Sequence, residues 1–340
     1  MKQVTWLDMK GVSIFKDSFL KKIGELSQLK TLDIANAAGD RSRFSKGIKY
    51  LGNLMNLSEL YINSNEIGDN GAEDISGMKQ LTKLDVSSND ITTKGAKHIS
   101  KLNKLVSLKM EENMIDAQGI KYITDQLNQL TELDIGSNDL GVLGAKAVSE
   151  LSQLTSLSIE NNNLLNEGAA YISRLLNLTD LCINSNQIDS EGAKDIIKLK
   201  QLTTLFISGN SLLDEGAKLI SELNNLTVLD ISDNELTDEG VEPISKLKQL
   251  KTLEIDENQI SDEGIESICG LNQLTELNID YNLISAEGLS SISGNEIGDE
   301  GAEIIGDLTN LKELTVDQNS RSKYHEILKT KLPLLTIKKI

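Results

Sequence analysis

The stretch Leu202–Ser221 reads LTTLFISGNSLLDEGAKLIS, and its spacing decides the fold. Leu202, Leu205 and Ile207 follow L-x-x-L-x-I. Leu205 and Ile207 are two apart and share one face of a short strand, while Phe206 and Ser208 point the other way. A strand this short cannot bury its apolar face alone and must stack on copies of itself. Asn210 follows where the strand turns. Its amide is suited to backbone groups of the turn and of the next copy, and a stack of such residues satisfies buried backbone that no sheet reaches. Gly216 then permits close backbone approach, and Ala217 is small where a helix must lie on its neighbour. Ala217 and Ile220 are three apart and share a helical face.

The first Leu recurs as Leu57, Leu81, Leu105, Leu130, Leu154, Leu178, Leu202, Leu226, Leu250 and Leu274, a step of 24 residues with one of 25. The Asn recurs from Asn65 through Asn89, Asn113, Asn138, Asn162, Asn186, Asn210, Asn234 and Asn258 to Asn282. Self-similarity at this period and spacing is the mark of a leucine-rich repeat. With Gly-Ala opening the helix, the motif resembles the ribonuclease-inhibitor-like class. The 24-residue form is most similar to the Gly-Ala-Leu-Ala repeats of bacterial effectors and of free-living protist proteins. The match covers residues 4–320.

That resemblance implies an α/β leucine-rich repeat solenoid of about thirteen repeats. It would be a curved horseshoe with a parallel β-sheet on the concave side and short helices on the convex side. The resemblance also implies a non-catalytic scaffold that binds a protein on its concave face, as an effector in a host cytosol. An inhibitor of a basic enzyme is the alternative, although the many cysteines and alternating longer repeats of the ribonuclease inhibitor are missing. A substrate-recognition subunit of a ubiquitin ligase ranks lower, because the array leaves no room for an F-box or ligase segment.

The net charge is −18, which disfavours nucleic acid and anionic membrane as partners. Cys182 falls on a strand and Cys269 on a helix three repeats away, roughly 15 Å at strand spacing and beyond disulfide reach. That fits a reducing compartment. The start MKQVTWLDMK has no secretory apolar run, and no stretch approaches the length of a membrane span. A cytoplasmic monomer is expected.

Residues 1–28 read as an N-terminal capping repeat, with Val12 in place of Asn and Trp6 packing within the cap. The array runs over 29–319. Between Ala37 and Gly47 it is four residues longer than usual, a surface loop carrying Arg41, Arg43 and Phe44 as candidate contacts. From Asn282 to Asn295 is 13 residues instead of 24, so an irregular junction is expected near 285–300. Residues 320–340 read as a C-terminal cap, with a helix through Tyr324, Ile327 and Leu328, a stop at Pro333 and an edge strand at Leu335 and Ile337.

The concave face is readable column by column. Between core Leu and Ile stand Asp33, Tyr61, Asp85, Lys109, Asp134, Ser158, Cys182, Phe206, Asp230, Glu254 and Asn278. Cys182, Phe206 and Val228 read as an exposed apolar anchor on neighbouring strands. Asp230, Asp233, Glu254, Asp256, Glu257, Glu276 and Asp280 crowd three consecutive repeats with no Lys or Arg to offset them in those columns. Stacked like charges cost stability, so their presence points to a basic protein partner. Tyr281 stands at the end of this run as a further contact. His98 and His325 lie away from any Cys or Ser that would make a nucleophile pair, and no phosphate loop or metal-spaced set is present. No catalytic residue, metal or cofactor is expected.

Overall fold

The computed structural model describes residues 4–14, 16–39, 41–284, 299–316 and 324–339. It comprises two compact units, Met1–Leu164 and Leu165–Ile340. In the first, strands β1 (Trp6–Asp8), β2 (Thr31–Asp33), β3 (Glu59–Tyr61), β4 (Lys83–Asp85), β5 (Ser107–Lys109), β6 (Glu132–Asp134) and β7 (Ser156–Ser158) pair in parallel, each with the next in sequence. Between them run helices α1 (Asp17–Ile23), α2 (Arg41–Gly47), α3 (Gly68–Ile75), α4 (Thr93–Ile99), α5 (Ala117–Gln126) and α6 (Gly141–Val148).

The second unit repeats the plan. Its strands are β8 (Asp180–Cys182), β9 (Thr204–Phe206), β10 (Val228–Asp230), β11 (Thr252–Glu254), β12 (Glu276–Asn278), β13 (Glu313–Val316) and β14 (Thr336–Lys339), again parallel and in sequence order. Its helices are α7 (Leu165–Ile172), α8 (Ser190–Ile196), α9 (Leu213–Ile220), α10 (Asp238–Ile244), α11 (Asp262–Ile268), α12 (Asp299–Ile305) and α13 (Tyr324–Lys331). Both units are leucine-rich repeat solenoids. The central Leu of each strand from β2 to β13 is buried and its flanking residues are more open, as the two-residue alternation requires.

The Asn ladder forms, but it reaches back to the preceding repeat rather than on to the next. Asn234 Nδ2 donates to the carbonyls of Ile207 (3.0 Å), Ile231 (3.3 Å) and Ser232 (2.8 Å), and its Oδ1 accepts the Leu212 N–H at 3.3 Å. Asn89 does the same in the first unit, to Ile62 and Ser87, and accepts the Asn65 N–H at 3.0 Å.

From α3 to α11 the helix starts fall into two kinds. Thr92, Asp116, Asp189, Thr237 and Ser261 are extended N-caps whose side chains accept an N–H of the first turn. At the equivalent position Gly68, Gly141, Leu165 and Leu213 are left-handed, with φ of 59, 55, 59 and 55°. Their N–H groups donate to the ladder Asn carbonyl of the following repeat, as from Gly68 to Asn89 (2.9 Å) and from Leu213 to Asn234 (3.1 Å). The next residue adds a second ladder. Asp69 accepts the Thr92 N–H (2.9 Å), the Thr92 hydroxyl (2.7 Å) and the Gly95 N–H (2.8 Å), and Asp214 accepts the N–H and hydroxyl of Thr237, both at 2.8 Å. A Cβ at Gly95 would lie 2.6 Å from Asp69 Oδ1, which is why glycine stands there.

Three expectations change. The insertion is not a loop: it forms α2 and a 3-10 helix, Ile48–Asn53, and Phe44 is fully buried in the core, so it offers nothing to a partner. The side chains of Arg41 and Arg43 lie outside the described residues. Trp6 does not pack into a cap; it is 62 % exposed. At the expected junction, residues 285–298 lie outside the described residues, but β12 pairs directly with β13, with Glu276 opposite Glu313.

Candidate functional site

The column between core Leu and Ile has a structural duty in both units. The carboxylate of Asp33 accepts the N–H of Ala35 (3.0 Å), Asp85 that of Ser87 (3.0 Å), Asp134 that of Gly136 (3.3 Å) and Asp230 that of Ser232 (3.1 Å). Asn278 does the same for Asp280 at 3.2 Å. These are local turn closures by a short acceptor side chain, so the recurring Asp is explained by the turn before any partner is invoked.

On β8 to β10 the apolar group is arranged differently from the expectation. Phe206 is in register with Cys182 on one side and Asp230 on the other. Val228 stands one column away, opposite Thr204 and Thr252. Phe206 and Val228 are both half-buried rather than exposed, because three-residue strands let each neighbour cover the next.

The acids divide into buried and offered. Asp230 is 8 % and Asp280 1 % exposed, so neither presents a charge to solvent; Asp280 accepts the Tyr281 N–H at 3.1 Å. Asp256 accepts the Ser232 hydroxyl (2.6 Å) and the Asn278 amide (2.8 Å), and Glu276 accepts the Thr252 hydroxyl (3.1 Å). Asp233, Glu257 and Tyr281 are exposed. They precede the ladder Asn in three successive repeats, and all three are left-handed, with φ of 48, 52 and 47°. Elsewhere in that column stand Asn36, Ser64, Ser88, Glu112, Ser137, Asn161, Ser185 and Gly209. The conformation belongs to the repeat turn, and Glu112 of the first unit adopts it as Glu257 does in the second.

Beside Asp233 and Glu257 lies a polar cavity of about 260 Å³, lined also by Ser185, Ser208, Gly209, Asp230, Ser232, Glu254 and Asp256. Burial, and then the charge of Asp256, hold the Asp230 carboxyl above its ordinary range, against the pull of the Ser232 and Ser208 bonds. Glu254 is pushed up by burial and then by Asp230, Asp256 and Glu276. The face is not without a cation, as the sequence implied. β14 brings Lys338 to 2.5 Å from Glu313, beside a cavity of about 540 Å³ that Glu254 and Glu276 also line. Among the described residues no group of three or more His, Cys, Asp or Glu has the arrangement that holds a metal ion. Among them, too, no helix is long and apolar enough to cross a membrane.

A second acidic group went unseen in the sequence. Glu111 in the first unit is held above its ordinary range by burial and then by Asp134 and Glu160. Glu111 and Glu160 stand two places before the ladder Asn, in a column the sequence analysis did not align.

Residues 72–265 match the leucine-rich repeat region family, and residues 53–76, 271–293 and 291–306 match a further leucine-rich repeat family. No curated protein matches the chain. Among solved structures it is similar to an internalin from Listeria monocytogenes, with a TM-score of 0.65 and 23 % identity over 99 % of this chain and 86 % of that one. It is also similar to a leucine-rich repeat protein of Leptospira interrogans, with a TM-score of 0.57 and 22 % identity over 98 % of this chain and 95 % of the other. At these identities the likeness shows the fold alone.

Proposed function

The chain belongs to the leucine-rich repeat family, and on that premise we propose that it is a non-catalytic scaffold whose second unit binds a basic segment of a protein partner. The binding face is the outer side of β10 to β12. The observation that carries this is the run Asp233, Glu257 and Tyr281: exposed side chains in consecutive repeats, each on the left-handed turn residue before the ladder Asn. Asp233 and Glu257 line one cavity, and a rigid repeat presents them at little ordering cost on binding. Asp233 and Glu257 draw in the cation, and the half-buried Glu254 gains from it too, because burial and neighbouring acids disfavour its charge. Phe206 supplies an apolar edge beside Asp230. Catalysis is not part of this reading, since His98 lies on α4 and His325 on α13, off the strand face.

A reducing compartment such as the cytoplasm suits a chain whose Cys182 and Cys269 are free thiols. The idea of a factor acting in a host cytosol rests only on the resemblance of the Gly-Ala repeats.

The test is a crosslinking capture from cytosolic lysate, comparing wild type with Asp233→Lys/Glu257→Lys. Both positions are exposed, so the fold should survive. A partner held by wild type, lost by the variant and weakened about tenfold between low and high salt fits the proposal. Retention by the variant, or indifference to salt, would sink it.

A further inference from the structure

We propose that the solvent face of α4 and the turn after it bind inorganic polyphosphate, a linear anion held by charge alone. Residues 91–110 carry five Lys and no Asp or Glu, in a chain of net charge −18. Lys94, Lys97 and Lys101 are three and four apart, so they share one face of α4 and its C-terminal end, and all three are exposed. From Lys94 to Lys101 this row runs about 10 Å at helical rise. Lys104, also exposed, continues it in the turn before β5.

The surroundings add to the row more than they neutralise it. The ammonium of Lys79, from the turn before β4, donates to the Lys101 carbonyl at 3.0 Å. Burial, and then the Lys101 charge, hold Lys79 below the ordinary lysine range. The Lys101 ammonium stands 3.3 Å from His98 Nδ1, and Lys97 lies 5.1 Å over the centre of the Tyr122 ring. Among the described residues none of Lys79, Lys94, Lys97, Lys101 and Lys104 makes an ion pair. The outer lysines of the second unit are treated differently: Lys194 is paired with Glu191 (2.5 Å), Lys198 with Asp195, and Lys200 with Glu222 (3.7 Å). Helix α4 packs between α3, which carries Asp69, Glu73 and Asp74, and α5, which carries Asp125 already paired with Lys121. Acids on both neighbouring helices leave an anion one course, along α4 rather than across it.

The same surface selects among anions. From α3 through Lys104 no large apolar side chain is exposed among the described residues. A protein partner therefore finds no apolar anchor, and a membrane finds nothing to insert beside the cations. Tyr122 is the one aromatic residue between Lys79 and Gln126, and it is half-buried beneath Lys97, so nucleotide bases find no stacking platform. Inorganic polyphosphate asks for neither. It carries a charge on every phosphate, and release of its counterions drives binding. In physiological salt charges act over about 8 Å, so the local row rather than the chain total decides the affinity.

The probe is end-labelled polyphosphate of about fourteen units, followed by fluorescence anisotropy between about 20 and 200 mM NaCl. Four neutralised charges predict a slope of log K against log salt of about −3. Lys97→Gln/Lys101→Gln should weaken binding at least about tenfold at low salt and bring the slope to about −1.5. Lys194→Gln/Lys198→Gln removes the same charge from the second unit and should bind as wild type. All four positions are exposed, so the fold should be kept in both variants. No binding, an equal loss in the two variants, or an unchanged slope in the first would overturn the proposal. So would equally tight binding of a deoxythymidine strand or a glutamate peptide of the same charge, which would give the row to a nucleic acid or to a protein.

Discussion

In the first unit Lys83 stands 3.5 Å from Glu59 on the adjacent strand, and Lys109 stands 3.6 Å from Glu132. On β10 to β12 of the second unit the charges that act on Glu254 are those of Asp230, Asp256 and Glu276, and Lys338 of β14 lines the same cavity as Glu254 and Glu276. The turn chemistry of the two faces is the same, for Asp85 and Asp230 close their turns identically. The difference therefore lies in side chains the turn does not require. The helix starts differ in the same way. The first unit fills its left-handed position with Gly68 and Gly141; the second uses Leu165 and Leu213, which are both exposed.

The largest effect should be blind to this difference. Asn89→Ala and Asn234→Ala each orphan several buried backbone groups, at about 1–3 kcal/mol for each group that water cannot reach. We expect each to cost about 3–5 kcal/mol in urea unfolding, equally in the two units. A cost for Asn234→Ala below half that for Asn89→Ala would break the premise that one ladder serves both.

The helix starts give the next effect. A Cβ at Gly141 meets open space, so backbone conformation alone decides a substitution there. An L-residue in the left-handed region costs about 1–2 kcal/mol, partly offset by the greater freedom glycine has when unfolded. Gly141→Leu should lose about 1 kcal/mol, and Leu213→Gly should gain up to about 1 kcal/mol, by the same measurement. A loss on Leu213→Gly would mean that this exposed leucine has a packing role its surface position does not suggest.

Much of this was legible because it is carried by single residue types at fixed spacing. Leu205, Ile207 and Asn210 each have one physical job, and repetition makes the job visible. Asp230 has two, a charge and a turn acceptor, and the sequence shows only the charge; its burial and its bond to the Ser232 N–H appear only in the structure. Phe44 was misread because an insertion was equated with a loop, although its Phe can fill a core as well as any Leu. Lys338 was missed because it meets the acidic face through β13 and β14, a relation of stacking rather than of sequence position. Direction along the ladder was equally hidden, since the period is the same read either way.

The smallest effect bears most directly on the contrast between the faces. Glu254 has its folded value raised above the ordinary 4.5, by burial first and by Asp230, Asp256 and Glu276 next. A carboxyl with a raised folded value contributes stability that is fully present below the unfolded value and is lost as pH rises through the folded one. Glu254→Gln cannot ionise. It should therefore match wild type near pH 4 and exceed it at pH 7, by about 0.5 kcal/mol given the partial exposure and the usual size of cross-strand repulsion. Salt should shrink the gain. Lys83→Gln in the first unit should move the other way at pH 7 by a few tenths, because it removes the cation that offsets Glu59. Urea unfolding of both variants at the two pH values decides the matter. If Glu254→Gln gains nothing at pH 7, the second face carries no stored repulsion, a basic partner has nothing to relieve, and its acids differ from those of the first unit in number alone.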